Sequence, residues 1–307
     1  MRVSGWLMKL TTRALAGSMD VPTMIQLTKR LLPNYDICER TGFPPNISIP
    51  NKTVASQIVK DIKDNELFLQ FVDLLIEIGR TEFMGRKYKV PYLHTILGEI
   101  DKAGIFYDND FKMFVEDPRV MKTKNWSVLR EMQEYIFTFL RVDIVGSSVL
   151  VRKYPAELVQ STYADIRTIV QNAVEKRNGR IWNWEGDGGL IAFYFAQKNN
   201  SAALSAIEIV HELYIYNLIG HRLDELLRVR MAVHSGQCKF RHNFGDIKSD
   251  TINKVSEIES KYTKPNNVTF STNVYHMLDP IIAEQLVPVK TGKNSSFFKY
   301  ELKWETE

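Results

Sequence analysis

Cysteine is nearly absent from this 307-residue chain: only Cys38 and Cys238 occur, far apart in sequence. They show no metal-ligand spacing, and their scarcity permits a reducing compartment. Charge of one sign is also lacking. The net charge is +4, without a dense Lys/Arg cluster, so nucleic acid is not an expected partner. No apolar run reaches the length needed to span a bilayer, so no transmembrane segment is expected. The N-terminus starts cationic at Arg2, but Thr11, Thr12 and Arg13 interrupt any signal-like core. The expected location is the cytoplasm, with a short amphipathic segment at a membrane surface as the alternative.

Hydrophobic content of 44% and charged content of 25% are those of an ordinary globular protein, and 307 residues suggest two domains. Residues 1–134 read as mainly helical. Thr53 to Gly79 carries Val54, Ile58, Ile62, Leu67, Phe71, Leu74, Leu75 and Ile78 at helical spacing, with Gly79 as a C-cap. Phe43-Pro44-Pro45-Asn46 with Pro50 is a loop. Tyr92 to Ala103 reads as a helix started after Pro91, and Trp126 to Tyr135 as a connector helix.

Over residues 135–307 the period changes toward 2. The expected order is strand 135–143, helix 156–177, strand 179–186, strand 189–195, helix 200–218 and strand 227–235. An irregular stretch 236–248, helix 249–261, strand 267–271, short helix 272–278 and closing strands near 286–290 and 296–303 follow. The βαββαβ start predicts a ferredoxin-like α+β sandwich.

Two aspartates end apolar strands in this region, and glycine lies close behind each. Asp143 lies in Leu140-Arg141-Val142-Asp143-Ile144-Val145-Gly146-Ser147, and Asp187 in Trp184-Glu185-Gly186-Asp187-Gly188-Gly189. A carboxylate at a strand exit is costly to desolvate unless a cation meets it. Two side by side make a hard-oxygen site for Mg²⁺ or Mn²⁺. For Asp187 alone the competing reading is a plain Gly-Asp-Gly turn. Gly146-Ser147-Ser148 offers backbone N–H groups to phosphate, or is simply a capped strand-to-helix loop. The combination points to metal-assisted chemistry on a nucleoside triphosphate.

From Phe137 to Trp304 the chain resembles the class III nucleotide cyclase catalytic domain. Val142-Asp143-Ile144-Val145-Gly146-Ser147 is similar to its first metal motif, and Glu185-Gly186-Asp187-Gly188-Gly189 to its second. Arg230-Met231-Ala232-Val233-His234-Ser235-Gly236 is similar to R-I-G-I-H-x-G. Asp250-Thr251-Ile252-Asn253-Lys254-Val255-Ser256-Glu257-Ile258-Glu259 is similar to D-T-V-N-x-A-x-R-x-E, and Val289-Lys290-Thr291-Gly292-Lys293 echoes a late V-K-G-K.

The resemblance implies two metal ions, Mn²⁺ or Mg²⁺, on Asp143, Asp187 and the Ile144 carbonyl. It implies that Asn253 steadies the ribose and that Lys290, with Lys293 as fallback, reaches the triphosphate. Arg241 and Lys239 lie where a phosphate-binding arginine is often found, and His234 has a structural role. It also implies a homodimer that shares its active sites, Asp143 and Asp187 from one subunit and Asn253 and Lys290 from the other.

Two positions depart. Glu257 stands where the family carries a transition-state arginine, which leaves Arg241, Lys254 or Lys261 as the substitute, or a slow or degenerate site that binds nucleotide without turnover. The base-reading positions are Asn183 and Asp246, a pair that suits cytosine, uracil or adenine. Trp182 and Trp184 alternate with Asn183 and so face away from it on a regular strand. With unusual base positions and no recognisable sensor in the first 130 residues, the chain looks like the pyrimidine cyclases of the Pycsar anti-phage systems. In those, a cyclic nucleotide made from UTP or CTP activates a separate effector. Adenylyl cyclase activity is the alternative. A palm domain making cyclic dinucleotides shares the fold start, but usually carries a denser acidic hairpin.

Overall fold

A computed structural model of the chain describes residues 3–44, 47–109, 112–117, 119–120, 122–290 and 296–302, with backbone alone at 290 and 296. Two compact units divide it. One is Met1–Lys122 with Trp126–Val128, and the other is Thr123–Asn125 with Leu129–Glu307.

The first unit holds helices α1 (Gly5–Ser18), α2 (Val21–Lys29), α3 (Ile37–Thr41), α4 (Asn51–Asp64), α5 (Phe68–Arg80) and α6 (Leu93–Lys102). An antiparallel hairpin follows, β1 (Ile105–Asp108) with β2 (Met113–Glu116), which sequence periodicity did not reveal. Side-chain caps start the early helices: Ser4 accepts from the Leu7 N–H and Asp20 from the Thr23 N–H.

The single helix expected over Thr53 to Gly79 is two. Asn65 ends α4, Glu66 turns at φ 59°, and α5 begins after Leu67. A straight helix of that length would run about 40 Å. The break instead lets Ile58 and Ile62 share one core with Phe71 and Leu75. Gly79 is no cap, because α5 continues through Arg80 and ends at an extended Thr81. The connector helix expected from Trp126 is also absent. Trp126 and Ser127 both take left-handed backbone (φ 51° and 56°), which a right-handed helix cannot include, and Trp126 is fully buried.

Asp61 is the polar node of this unit. Its carboxylate is 3% exposed and accepts from Tyr35 (2.8 Å), Arg40 (2.9 Å) and Gln57 (3.0 Å). Burial, then the bond to Asp61, raises the Tyr35 pKa, so the phenol stays a donor.

The second unit is built on one seven-stranded sheet. Its elements in chain order are β3 (Glu134–Ile144), α7 (Ser147–Lys153), α8 (Ala156–Glu175), β4 (Arg180–Glu185), β5 (Gly188–Phe193), α9 (Lys198–Ile219) and β6 (Val229–Lys239). Then follow α10 (Asp250–Tyr262), β7 (Asn267–Ser271), α11 (Thr272–Tyr275), α12 (Pro280–Ala283), β8 (Val287–Lys290) and β9 (Ser296–Glu301). The strand order is β4-β5-β3-β6-β7-β9-β8. β3 is antiparallel to both β5 and β6, while β7 joins β6 in parallel. The first four strands form two interleaved βαβ crossovers, the ferredoxin-like arrangement in an α+β unit.

Alternation sorts the two faces. Leu140, Val142, Ile144, Met231, Val233, Val268 and Phe270 share a core with α8 and α9. The opposite face carries Phe139, Arg141 and Asp143, with α10 and an aromatic cluster over it.

The expectation that no run is long and apolar enough to cross a membrane needs one correction. α9 meets that test by length and composition. In the fold its Ala202, Ala206, Ile209, Val210 and Leu213 are buried in the sheet's core, as in any central helix.

Asp61→Ala is expected to cost about 2 kcal/mol of stability, because the buried Tyr35 hydroxyl loses its acceptor. A denaturant melt of the variant measures it. An unchanged midpoint would mean that water replaces all three bonds.

Candidate active site

The β3–β5 register places the two aspartates. Asp143 pairs with Gly188, and the Ile144 N–H donates to the Asp187 carbonyl oxygen at 3.0 Å. The two residues therefore sit at neighbouring strand ends on one rim of the sheet. Gly188 is obligatory there, since a Cβ would stand 2.5 Å from the Val142 carbonyl oxygen. Gly186 turns the hairpin at φ 54°.

A cation already sits at this rim. Arg230, on β6 directly across from Asp143, donates to Asp143 Oδ2 at 2.6 Å. Its Nε lies 2.9 Å from Glu259 Oε1 of α10, close enough for an ion pair but not aligned as a hydrogen bond. Burial works against the Arg230 charge, yet the bond to Asp143 and the field of Glu259 hold its pKa above the ordinary arginine value. Glu259 is only 8% exposed. Burial, then the field of Asp143, pushes its pKa up, and Arg230 and Arg141 pull it back. Burial also raises the pKa of the Tyr163 phenol of α8, followed by the fields of Asp187 and Asp143. Tyr163 donates to the Ser147 carbonyl at 3.4 Å.

Sequence reading named neither Glu259 nor Tyr163 as a site residue, and quoted Arg230 only inside a motif. Tyr163 sits in an amphipathic helix like any other aromatic. Arg230 carried a signal: a cation interrupting a strand that is otherwise apolar at Val229, Met231 and Val233.

Gly146 takes left-handed backbone (φ 75°) and starts α7 at Ser147, so the first-turn N–H groups lie one turn from Ile144. Among the described residues no three or more His, Cys, Asp or Glu groups converge to hold a metal. The donors present are Asp143, Asp187 and the Ile144 carbonyl. Mg²⁺ and Mn²⁺ are commonly held by one or two carboxylates, with substrate phosphates and water completing the sphere. Asp143 Oδ2 is occupied by the Arg230 guanidinium, and two carboxylates with a carbonyl are hard oxygen donors whose chemistry fits such an ion.

The other expected residues lie elsewhere. α10 runs from Thr251, against Gln237, to Glu259, against Arg230. Asn253 is exposed on it, six residues and about 9 Å before Glu259. Lys290 lies on β8, four strands from β3 or roughly 19 Å across the sheet. Lys293 lies outside the described residues. Lys239 pairs with Glu134 at the far end of β3, roughly 30 Å from Asp143, and Arg241 follows it.

Asn183 shares the Asp143 face, because it pairs with Leu190 and Leu190 with Arg141. A register shift between Ile181 and Asn183 corrects the expected alternation. Trp182 joins Phe137, Phe139 and Phe240 on that same face, while Trp184 packs into the α8–α9 core. Phe244 touches Trp182 (5.1 Å), which brings the Phe244–Asp246 turn to β4. Asn183 donates to Glu185 (2.7 Å), and Asp246 accepts from Asn243 (2.8 Å). Glu257 holds Lys254 (2.9 Å) and Lys261 (3.4 Å), and these cations pull its pKa down.

No family model and no curated protein matches the chain. Among solved structures it is similar to the monomeric guanylyl cyclase domain of the RhoGC fusion protein from the aquatic fungus Blastocladiella emersonii, at 17% identity and a TM-score of 0.48, covering 56% of this chain and 98% of that one. It is similar also to the guanylate cyclase domain of RhGC from Catenaria anguillulae, a complex with GTP, at 18% identity and 0.47, covering 56% and 100%. The adenylyl cyclase CyaB from P. aeruginosa gives 16% identity and 0.47, covering 57% and 98%. Likeness of this degree says nothing about activity, which has to be argued from the residues at the rim.

His234 is structural. Its Nδ1 meets the Ser271 hydroxyl at 2.8 Å, and burial, then the field of Lys254, lowers its pKa. The fold therefore favours the neutral ring. That contribution is present above the unfolded value of about 6.5 and is lost as pH falls through the folded pKa. His234→Gln is expected to flatten the fall in stability below about pH 6.5, read by urea melts at neutral and acidic pH. Parallel slopes in the two proteins would contradict it.

Proposed function

We propose that the second unit is a metal-dependent nucleotide cyclase, acting in the cytoplasm on a pyrimidine nucleoside triphosphate, UTP or CTP. The observation that carries this reading is the β3–β5 register, which brings Asp143 and Asp187 to neighbouring strand ends, with Arg230 bonded to Asp143. The ribose 3′-oxygen attacks the α-phosphorus, the bond to the bridging oxygen breaks, and pyrophosphate leaves as the 3′-hydroxyl gives up its proton. Bound Mn²⁺ or Mg²⁺ would lower the pKa of that hydroxyl and neutralise the departing phosphates.

The chain's own groups supply the rest. Asp143, Asp187 and the Ile144 carbonyl would hold the ions. Arg230 can exchange Asp143 for a phosphate oxygen, with Glu259 keeping its guanidinium at the rim. The first turn of α7, from Gly146 and Ser147, offers N–H donors to the polyanion.

One chain cannot complete this site. Lys290, about 19 Å across the sheet from β3, and Arg241, beyond its far end, lie past a side chain's reach of Asp143. In the proposed two-fold dimer a second copy would supply Asn253, Lys290 and Arg241 to the acid pair, giving two identical sites. Asn183 and Asp246 then read the base through an amide and a carboxylate, a pair that cytosine or uracil can satisfy. The cyclic product would be a second messenger in anti-phage defence, sensed by a separate effector.

A second reading rests on Glu257, held by two lysines on α10 and negative where a developing phosphoryl charge would need a cation. In that reading the site binds nucleotide without turnover.

Incubation with each of the four ribonucleoside triphosphates and Mn²⁺ is expected to yield cyclic CMP or cyclic UMP. Cyclic AMP as the main product would favour adenine recognition by Asp246, and tight binding without pyrophosphate release the second reading. Asp143→Ala and Asn253→Ala should each abolish activity. Equal mixing of the two should restore about a quarter of it through mixed dimers with one intact site. No recovery in mixed dimers shown to form would rule out the shared site.

A further inference from the structure

The first unit contains a cleft of about 600 Å³ formed by α5, the 88–90 segment, α6 and β1. Glycine opens it. Gly79 in α5 and Gly98 in α6 both line the cleft, and a Cβ built on either meets no atom within 4 Å. Glycine disfavours a helix, and any larger residue would suit both helices better. What the glycines provide is room.

The wall combines apolar and charged groups. Leu93 and Leu97 of α6 contribute the aliphatic part. Tyr107 is held on two sides: the Phe114 ring meets it edge-on at 5.2 Å, and the Arg80 guanidinium lies 5.7 Å over its face. Arg80 is held in turn by the Asn109 side-chain oxygen at 2.8 Å, which leaves further N–H groups to donate. Lys89 adds a second cation and Asp101 is the one acid among the described lining residues, so the lining favours an anion.

We propose that this cleft binds a nucleoside monophosphate, linear or cyclic, with the base on the aromatic and aliphatic wall and the phosphate at Arg80 and Lys89. Its volume is that of a small-molecule site. Aromatic faces beside cations suit a planar base joined to a phosphate. Bare phosphate would leave the apolar wall unused, and a fatty acid would leave a cation unused. The cleft lies wholly within the first unit and shares no residue with the acid pair, so it assigns that unit a ligand-sensing role independent of any turnover.

The test is calorimetric titration of the full chain in EDTA with the four nucleoside 5′-monophosphates and their 3′,5′-cyclic forms. At least one is expected to bind once per chain. Gly98→Leu should fill the cleft and abolish binding, Lys89→Glu should weaken it roughly 10-fold or more, and Asp143→Ala should leave it unchanged. Lys89 is exposed, so Lys89→Glu remains a folded variant that decides the question if Gly98→Leu melts early. Four outcomes overturn the proposal: no binding at millimolar nucleotide, binding that survives both cleft variants, binding lost in Asp143→Ala, or inorganic phosphate or laurate binding as tightly as any nucleotide. None of these readings requires the protein to turn over a triphosphate, so a failed cyclase assay leaves the result standing.

Discussion

The hydrogen bond from the Ile144 amide to the Asp187 carbonyl closes the last rung of the β3–β5 ladder, and the chemistry at the rim depends on it. A slip of one residue in that register would turn Asp143 to the α8–α9 core and bring Val142 to the rim. Gly188 guards the register, because no larger residue fits against the Val142 carbonyl. Once it is set, two like charges stand on adjacent strand ends and need a cation. Arg230 supplies one from the next strand, and Glu259 keeps Arg230 in place. Such a rim favours a dication over a second arginine, because two carboxylates and a carbonyl are hard oxygen donors.

The same sheet sets how far apart the residues of the proposed site lie. The ferredoxin-like order places the acid pair on β3 and β5, while β8 with Lys290 lies at the opposite edge. α10 lies along β6, so its C-terminal half serves the acid pair and its N-terminal half, with Asn253, lies toward the other end. In the proposed reading, residues that would act on one substrate are thus spread across the sheet, and a two-fold partner would bring them together. The aromatic cluster of Phe137, Phe139, Trp182 and Phe240 packs on the Asp143 face of the sheet and reaches the Phe244–Asp246 turn through Phe244.

The two units obey different rules. The second is organised by non-local strand pairing, with the Arg230–Asp143 pair at the rim of its sheet. The first is organised by helix packing around one apolar core, with Asp61 as its buried polar anchor. Its glycine-lined cleft lies between helices, where bundles commonly hold ligands.

Local pattern alone was enough for much of this. Period-2 alternation marked β3 through β7 within a few residues, the Gly-Asp-Gly hairpin marked the second acid, and the change of period near Tyr135 marked where strands begin. These are short-range effects of side-chain alternation and turn chemistry, so one chain segment is sufficient to specify them. The break at Glu66, the left-handed pair at Trp126 and Ser127, and the bulge that sends Trp182 and Trp184 to opposite faces were decided by the tertiary structure. In each, burying large apolar groups in a shared core outweighed local propensity. The Arg230–Asp143–Glu259 cluster belongs there as well. Its members lie far apart in sequence and become neighbours only because β6 pairs with β3 and α10 folds back over both.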